Sequence, residues 1–260
     1  MLRTVQRAKE ATEKVIGAAK ALRQTLVRHL FRYGPVAADL ADNIELQDTK
    51  VGTIPAQWQV SRLDEVAAIE RGKFAHRPRN DPRFYGGAIP FIQTGDVTKS
   101  DGRVSEYSQT LNDLGLSVSR VFPKGTIVLT IAANIGDCGI LEFDSAFPDS
   151  LVGITPQHSL SNEYLNVYLR TQKHEMDRLA PRGTQKNINI RFLEPWPVVV
   201  PPSEGQNRIV AIIATINRKL KAEESHRAAL SGLFDSMLHN VMTGKVRVQD
   251  LQFAEAVGSA

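Results

Sequence analysis

The sequence predicts an α+β fold: one mixed domain flanked by long amphipathic helices that pack as an antiparallel coiled coil. Three observations carry this reading. Apolar residues at Ile209, Ile213, Ile216 and Leu220, and again at Leu230, Phe234, Met237 and Val241, step alternately by four and three, the seam of a heptad helix. A second seam runs through Val5, Ala8, Thr12, Val15, Ala19, Leu22, Leu26, His29 and Tyr33. Between them lie short β-type runs broken by Gly, Pro, Asn and Asp, with one clear helix instead of alternating strand–helix units.

The first element, 1–34, is the N-terminal helix, stopped by Gly34-Pro35. Its last turns echo the C-terminal helix: Leu22, Leu26, Val27, Leu30 and Phe31 correspond to Leu233, Met237, Leu238, Val241 and Met242. Residues 35–52 read as an Asp/Asn-rich linker. The mixed domain spans 53–203, with strands expected at Trp58–Leu63, Ile89–Ile92, Thr126–Ile131, Gly139–Phe143, Leu151–Thr155 and Trp196–Val200. Its helix is expected from Asn162, read as the N-cap, to Pro181. After Pro201-Pro202 comes the C-terminal helix, 204–248, in which about 40 helical residues would reach roughly 60 Å. It has a polar gap at Glu223 and Arg227 and a left-handed cap expected at Gly244. Residues 249–260 form a tail. A helix this long cannot bury its stripe on itself, so it needs a partner helix.

Composition excludes some classes. No apolar run approaches the roughly 18 residues of a membrane span, and no membrane partner is expected. One cysteine, Cys138, permits no internal disulfide and fits a reducing, cytoplasmic setting. The net charge of +4 is uneven: residues 1–33 hold 8 Lys/Arg against 2 Asp/Glu, residues 34–203 hold 17 against 20, and residues 204–260 hold 7 against 6. Positive charge in the middle is instead clustered. Arg71, Lys73, Arg77, Arg79 and Arg83 stand against Asp81 alone, and Arg178, Arg182, Lys186 and Arg191 lie in a run without an acid. The two runs form one face if the fold joins them.

Catalytic signatures are missing. Gly244-Lys245 lacks the upstream Gly and following Ser/Thr of a phosphate loop. There is no Asn/Asp-Pro-Pro-aromatic loop of an adenine methyltransferase, and the six histidines form no i, i+4 pair. Asp48-Thr49-Lys50 fits half of a metal-dependent nuclease motif, with Asp39 or Asp42 upstream, but it sits in the linker without a β-branched run to place it on a strand. What remains is a set of polar loops beside strands: Gln93-Thr94-Gly95-Asp96, Asn134-Ile135-Gly136-Asp137 and Arg182-Gly183-Thr184-Gln185-Lys186-Asn187. Asn, Gln, Arg and Lys are the side chains that bond base edges and phosphates.

Several motifs now stand in order. They are Gly52-Thr53-Ile54-Pro55-Ala56-Gln57-Trp58 with Leu63, Gly72, Ile89-Pro90-Phe91-Ile92 with Gly95-Asp96, and Gly125-Thr126-Ile127 leading to Asn134-Ile135-Gly136. Then come Gly183-Thr184-Gln185-Lys186-Asn187-Ile188, Pro201-Pro202 before Arg208-Ile209-Val210, and Leu238 to Thr243-Gly244-Lys245-Val246-Arg247. In this order the chain resembles the specificity subunit of type I restriction–modification systems, in its C-terminal half or half-size form, over about residues 10–248. One departure is Pro201-Pro202-Ser203-Glu204-Gly205-Gln206, where Gly205 displaces the family's glutamate.

The resemblance implies a non-catalytic DNA-recognition subunit whose 53–203 domain is a target-recognition domain reading one half-site of double-stranded DNA. Lys73, Arg77, Arg79, Arg83 and the Arg182–Asn187 loop, with Arg182, Thr184 and Lys186, would grip the duplex, and Gln93, Thr94, Asn134, Gln185 and Asn187 would read bases. The seam residues Leu22, Leu26, Ile209, Ile213, Ile216, Leu220, Leu230, Phe234, Met237 and Val241 would pair the helices, within the chain or in a homodimer. The helices would dock methylation subunits and, indirectly, the restriction subunit. No cofactor or metal is expected on this chain; S-adenosylmethionine and ATP/Mg belong to the partner subunits. The competing readings are a coiled-coil adaptor that binds protein and not DNA, and a nuclease using Asp48-Thr49-Lys50.

Overall fold

The computed structural model describes residues 2–157, 160–181 and 186–243. They divide into two compact units, one made of residues 2–29 and 211–243 and the other of the described residues between Leu30 and Val210.

The first unit is built from the outer parts of two helices, α1 (Leu2–Tyr33) and a C-terminal helix, Ser203–Met242. Cross-helix contacts set their direction. Lys9 Nζ lies 3.4 Å from Ser231 Oγ and over the Phe234 ring, Lys20 pairs with Glu224 at 2.8 Å, and Arg23 Nε donates to Asn217 Oδ1 at 2.7 Å. Residue numbers rise on one helix as they fall on the other, so the pair is antiparallel and formed within the chain. The seam on α1 differs from the expected one at Val15 and Leu22. Val5, Thr12, Ile16 and Ala19 are buried, with Ile16 at 6% exposure, whereas Val15 and Leu22 are 44% and 51% exposed. Between residues 12 and 26 the stripe alternates 12, 19 and 26 with 16 and 23 and not with 15 and 22, while Ala8 and His29 are half-buried. Both choices keep heptad spacing, and Arg23 facing Asn217 turns the helix toward the first. On the C-terminal helix Ile213 and Leu220 are buried, and Ile216, Leu230, Phe234, Met237 and Val241 are half-buried, as is Leu26 on α1. The expected cap at Gly244 lies outside the described residues.

The second unit begins with a 3-10 turn, Ala38–Asn43, and a hairpin of β1 (Leu46–Thr49) and β2 (Gly52–Pro55). The segment read as a linker is thus ordered. Asp48 accepts from the Thr53 hydroxyl at 2.8 Å and Thr49 Oγ1 donates to the Gly52 carbonyl at 2.7 Å, so Asp48 and Thr49 serve the hairpin. Among the described residues no three His, Cys, Asp or Glu converge as metal ligands, and no helix is long and apolar enough to cross a membrane.

Next come β3 (Gln59–Arg62), a single turn α2 (Leu63–Val66), β4 (Ala67–Arg71), β5 (Tyr85–Phe91), α3 (Thr94–Lys99), β6 (Arg103–Val104), β7 (Gln109–Leu111), α4 (Asp113–Ser117) and β8 (Val121–Phe122). They are followed by β9 (Ile127–Thr130), β10 (Cys138–Leu141), β11 (Ser145–Ala146), β12 (Leu151–Pro156), α5 (Asn162–Leu179), α6 (Ile190–Leu193), β13 (Pro197–Val200) and α7 (Ser203–Met242). A five-stranded sheet orders β4-β12-β9-β10-β6, a four-stranded sheet orders β7-β5-β11-β8, and β13 pairs with β3. Strands β9 and β10 are buried along their whole length, which explains why they read as continuous apolar runs. Strand β4 was not legible because its sequence, Ala-Ala-Ile-Glu-Arg, alternates weakly and lies at the sheet edge.

Apolar clusters in this unit include one around stacked Phe122 and Phe147 and one around Phe74, Phe84, Phe91 and Leu111. The N-cap of α5 is Ser161, whose hydroxyl accepts from the Tyr164 N–H, while Asn162 donates to the Gly125 carbonyl at 2.5 Å. Tyr164 and Tyr168 donate to the Val199 and Pro197 carbonyls at 2.8 Å each and lie against Phe31. Helix α7 starts at Ser203 despite Gly205, and buried Gln206 donates to the Pro201 carbonyl at 3.0 Å and accepts from the Ser161 N–H at 2.9 Å.

The seam observed on α1 yields a direct test. Ile16→Ala should destabilise the α1–α7 pair by about 2–4 kcal/mol, the usual cost of truncating a buried aliphatic side chain. Leu22→Ala should change stability by less than about 0.5 kcal/mol, as at an ordinary surface site. Urea unfolding followed by circular dichroism measures both; the reverse ranking would restore the stripe through Val15 and Leu22.

Candidate nucleic-acid interface

The register of the five-stranded sheet brings distant loops to one end. Strand β4 ends at Arg71 opposite Val152, β9 ends at Thr130 opposite Leu151, and β10 begins at Cys138 opposite Leu129. The loops 72–84, 131–137 and 147–150 therefore leave from the same edge. Main-chain bonds stitch them together. Lys73 N–H donates to the Phe147 carbonyl at 3.0 Å, Gly72 N–H to Leu151 at 2.9 Å, and Ile131 N–H to Ser150 at 3.1 Å. Ile188 N–H donates to the Ile131 carbonyl at 2.9 Å, and Asn187 bridges Ala132 in antiparallel fashion. Main-chain bonds thus connect the first basic run, through the 147–150 and 131–137 loops, to Asn187 and Ile188, next to Lys186 of the second run.

The first run is anchored by buried Phe74, packed among Phe84, Tyr85 and Phe91. Lys73 and Arg83 are exposed beside it. Arg83 donates to Asp81 at 2.7 Å, and His76 stacks on Phe84 and lies 3.1 Å from the same carboxylate. The Arg83 side chain and main chain, with His76, hold the Asp81 carboxyl well below its ordinary range. Arg77 donates to the Phe74 and His76 carbonyls at 2.6 and 2.8 Å and to Asp149 at 3.2 Å. Arg79 donates to the other oxygen of Asp149, and Arg71 Nε donates to the Asp149 carbonyl at 2.7 Å. Neither Arg71 nor Asp149 stood among the residues expected to touch DNA. Asp149 carries no signal of its own in the sequence, because it reaches this run only through the fold.

Asn134 lies exposed on the 131–137 loop, which turns through Ala133 and Gly136 at φ 64° and 84°. Its amide lies 3.4 Å from the Thr98 hydroxyl, which donates to Asp137 at 3.0 Å; Asp137 also holds Lys173 at 2.5 Å. Gln93 and Thr94 open α3, the helix that carries Thr98. Gln93 donates to Gln109 at 2.9 Å and its main-chain N–H to Asp96 at 2.8 Å. Lys186 pairs with Asp177 at 2.9 Å, and Asn187 is exposed beside it. Arg77 and Arg79 are thus tied to the 147–150 loop through Asp149, Asn187 to the 131–137 loop through Ala132, and Asn134 to α3 through Thr98, while Gln93 is bonded to Gln109 and Lys186 to Asp177. Arg182, Thr184 and Gln185 lie outside the described residues. Burial pushes the Cys138 thiol up to about 12, which leaves it protonated and unreactive at neutral pH.

The arrangement offers guanidinium, ammonium and amide groups on a polar face, the donor set for phosphate oxygens and base edges.

Comparison with known proteins gives a consistent result. Residues 55–230 match the family model described as "Type I restriction modification DNA specificity domain". The MjaIX specificity subunit of a type I restriction enzyme from Methanocaldococcus jannaschii is 24% identical over 199 residues, covering 72% of this chain and 45% of that protein. The putative MjaX specificity subunit from the same organism is 21% identical over 237 residues, covering 91% and 53%. The crystal structure of the HsdS subunit from Thermoanaerobacter tengcongensis superposes with a TM-score of 0.64 at 20% identity, covering 94% of this chain and 56% of that one, and so shares the fold. The chain spans about half the length of the curated relatives it matches.

Gly72 is where this cluster is tightest. A Cβ there would stand 2.3 Å from the Pro148 carbonyl oxygen. Gly72→Ala should destabilise the second unit by about 1–3 kcal/mol, the cost of overpacking. Denaturant unfolding followed by tryptophan fluorescence measures this, and an unchanged midpoint would show that the 147–150 loop gives way freely.

Proposed function

The chain belongs to the type I restriction modification DNA specificity family, and on that premise we propose that it is the DNA-recognition subunit of a type I restriction–modification complex. The observation that carries this is the main-chain network at one end of the sheet that connects the first basic run, through the 147–150 and 131–137 loops, to Asn187 beside Lys186. Phosphate contacts from Lys73, Arg77, Arg79, Arg83 and Lys186 would position the duplex, and Gln93, Thr94, Asn134 and Asn187 would reach base edges, reading one half-site. The subunit itself is non-catalytic on this reading. S-adenosylmethionine and ATP/Mg chemistry belongs to methylation and restriction subunits, which the α1–α7 pair would recruit. The apolar side chains left outside the seam, Val15, Leu22, Leu233 and Leu238, are available for that docking.

Two measurements test the two halves of the proposal. Lys73→Ala with Lys186→Ala should weaken binding to any duplex and flatten the log–log salt dependence by about one to two, near 0.9 for each phosphate no longer neutralised and less for Lys186, which is paired with Asp177. A wild-type chain that ignores duplex DNA at low salt would leave the protein-binding adaptor as the better reading. Leu22→Asp should leave the helix pair folded yet prevent co-purification with a methylation subunit. Retained association would move the docking surface elsewhere.

A further inference from the structure

Charge counted along the sequence overstates how open this face is. Arg77 and Arg79 share the two carboxylate oxygens of Asp149, from which they are 72 and 70 residues distant in sequence. Arg71 takes the main-chain carbonyl of the same residue. In the same way Arg83 is held by Asp81, Lys173 by Asp137 and Lys186 by Asp177. Three arginines on one aspartate form the densest of these arrangements, and that aspartate is partly exposed, its side chain at 34%.

A carboxylate accepting N–H bonds from guanidinium groups has the bonding pattern of a DNA phosphate: an oxyanion with several acceptor lone pairs. We propose that Asp149 is an internal stand-in for a backbone phosphodiester, seated in a phosphate clamp made by Arg71, Arg77 and Arg79. The assignment rests on the interface reading above and extends it to two residues, Arg71 and Asp149. In the free protein the carboxylate occupies the donors of Arg77 and Arg79 and repels an approaching phosphate. When duplex binds, a phosphate takes over those donors. Arg71 keeps its Nε on the Asp149 carbonyl, so its terminal nitrogens remain directed by the main chain. The consequence is a lowered grip on arbitrary DNA. Sequence-independent affinity comes from cations that replace condensed counterions on phosphates, and a cation already paired with a carboxylate contributes less to that affinity.

Asp149→Asn tests this, read by fluorescence anisotropy on a random-sequence duplex of about 20 base pairs across a salt series. Freed arginines should tighten binding about 10-fold at roughly 50 mM salt and steepen the log–log slope by about one to two, near 0.9 per additional phosphate neutralised. Glu13→Gln, an equal change in net charge on α1, should give less than about a twofold gain. Asp149→Glu, which keeps the carboxylate, should stay near wild type. Adding Arg71→Gln, or Arg77→Gln with Arg79→Gln, to Asp149→Asn should take the gain back. Asp149→Ser, judged by the same criterion, replaces the Asn variant should that one unfold by circular dichroism. A gain no larger than that of Glu13→Gln, or weaker binding by a folded variant, overturns the clamp while the interface reading stands. Duplex ignored by wild type and all variants removes the interface reading, and the clamp with it.

Discussion

The antiparallel register of β4, β12 and β9 is the constraint on which the rest of the second unit depends. In an antiparallel pair, one strand must end where its neighbour begins. Val152 faces Arg71 and Leu151 faces Thr130, so three chain segments turn at one edge of the sheet. A shift of one residue would send every side chain of β12 to the opposite face. It would also part Ile131 from Ser150 and Gly72 from Leu151, the main-chain bonds that knit the loops. The burial of β9 and β10 and the seating of Phe147 on Phe122 oppose such a slip. Placement of the polar groups is therefore a by-product of core packing.

Electrostatics follow from that placement. A basic run that is isolated in sequence meets acids supplied by other segments, and pairing at hydrogen-bond distance is the outcome wherever geometry allows. Asp149 is the clearest case, and Asp137 with Lys173 repeats it on α5. These pairs are partly exposed, so each contributes modestly to stability and is weakened by salt. Their larger effect is on position. Arg77, tied at one nitrogen to two carbonyls and at another to Asp149, has little of the rotamer freedom of a surface arginine. A cation ordered in advance loses less entropy when a ligand arrives.

Much of this is legible in the sequence, for physical reasons that also mark the limits. The α+β class, the two long helices and the principal buried strands can be read because continuous apolar runs and heptad spacing survive in sequence. Strand β4 and the β1–β2 hairpin cannot, since Ala-Ala-Ile-Glu-Arg and Leu-Gln-Asp-Thr carry little β patterning. The N-cap of α5 lies one residue before the expected position because Ser161 and Asn162 are both good caps; the fold uses the amide of Asn162 on Gly125 instead. In the candidate site, residue types and their loops are legible and long-range pairing is not. Counting acids within Arg71–Arg83 finds Asp81 and misses Asp149, and a window beginning at Arg178 stops one residue short of Asp177.

The seam of α1 illustrates a different limit. Two stripes with identical heptad spacing share Val5, Thr12, Ala19 and Leu26 and differ only in the flank. One flank offers Ala8, Val15, Leu22 and His29, the other Lys9, Ile16, Arg23 and Leu30. Hydrophobicity alone favours neither strongly. The polar residues decide: Arg23 finds Asn217, Lys20 finds Glu224, and Lys9 lies against Ser231 and Phe234. With small Ala and Thr side chains along much of the shared stripe, apolar packing tolerates sliding and rotation, whereas a hydrogen bond across the seam is satisfied in one register. A polar contact that specifies pairing at some expense in stability is a known device of coiled coils. Here it has a second effect, because the flank it turns outward carries Val15 and Leu22, leaving apolar surface on the outside of the helix pair.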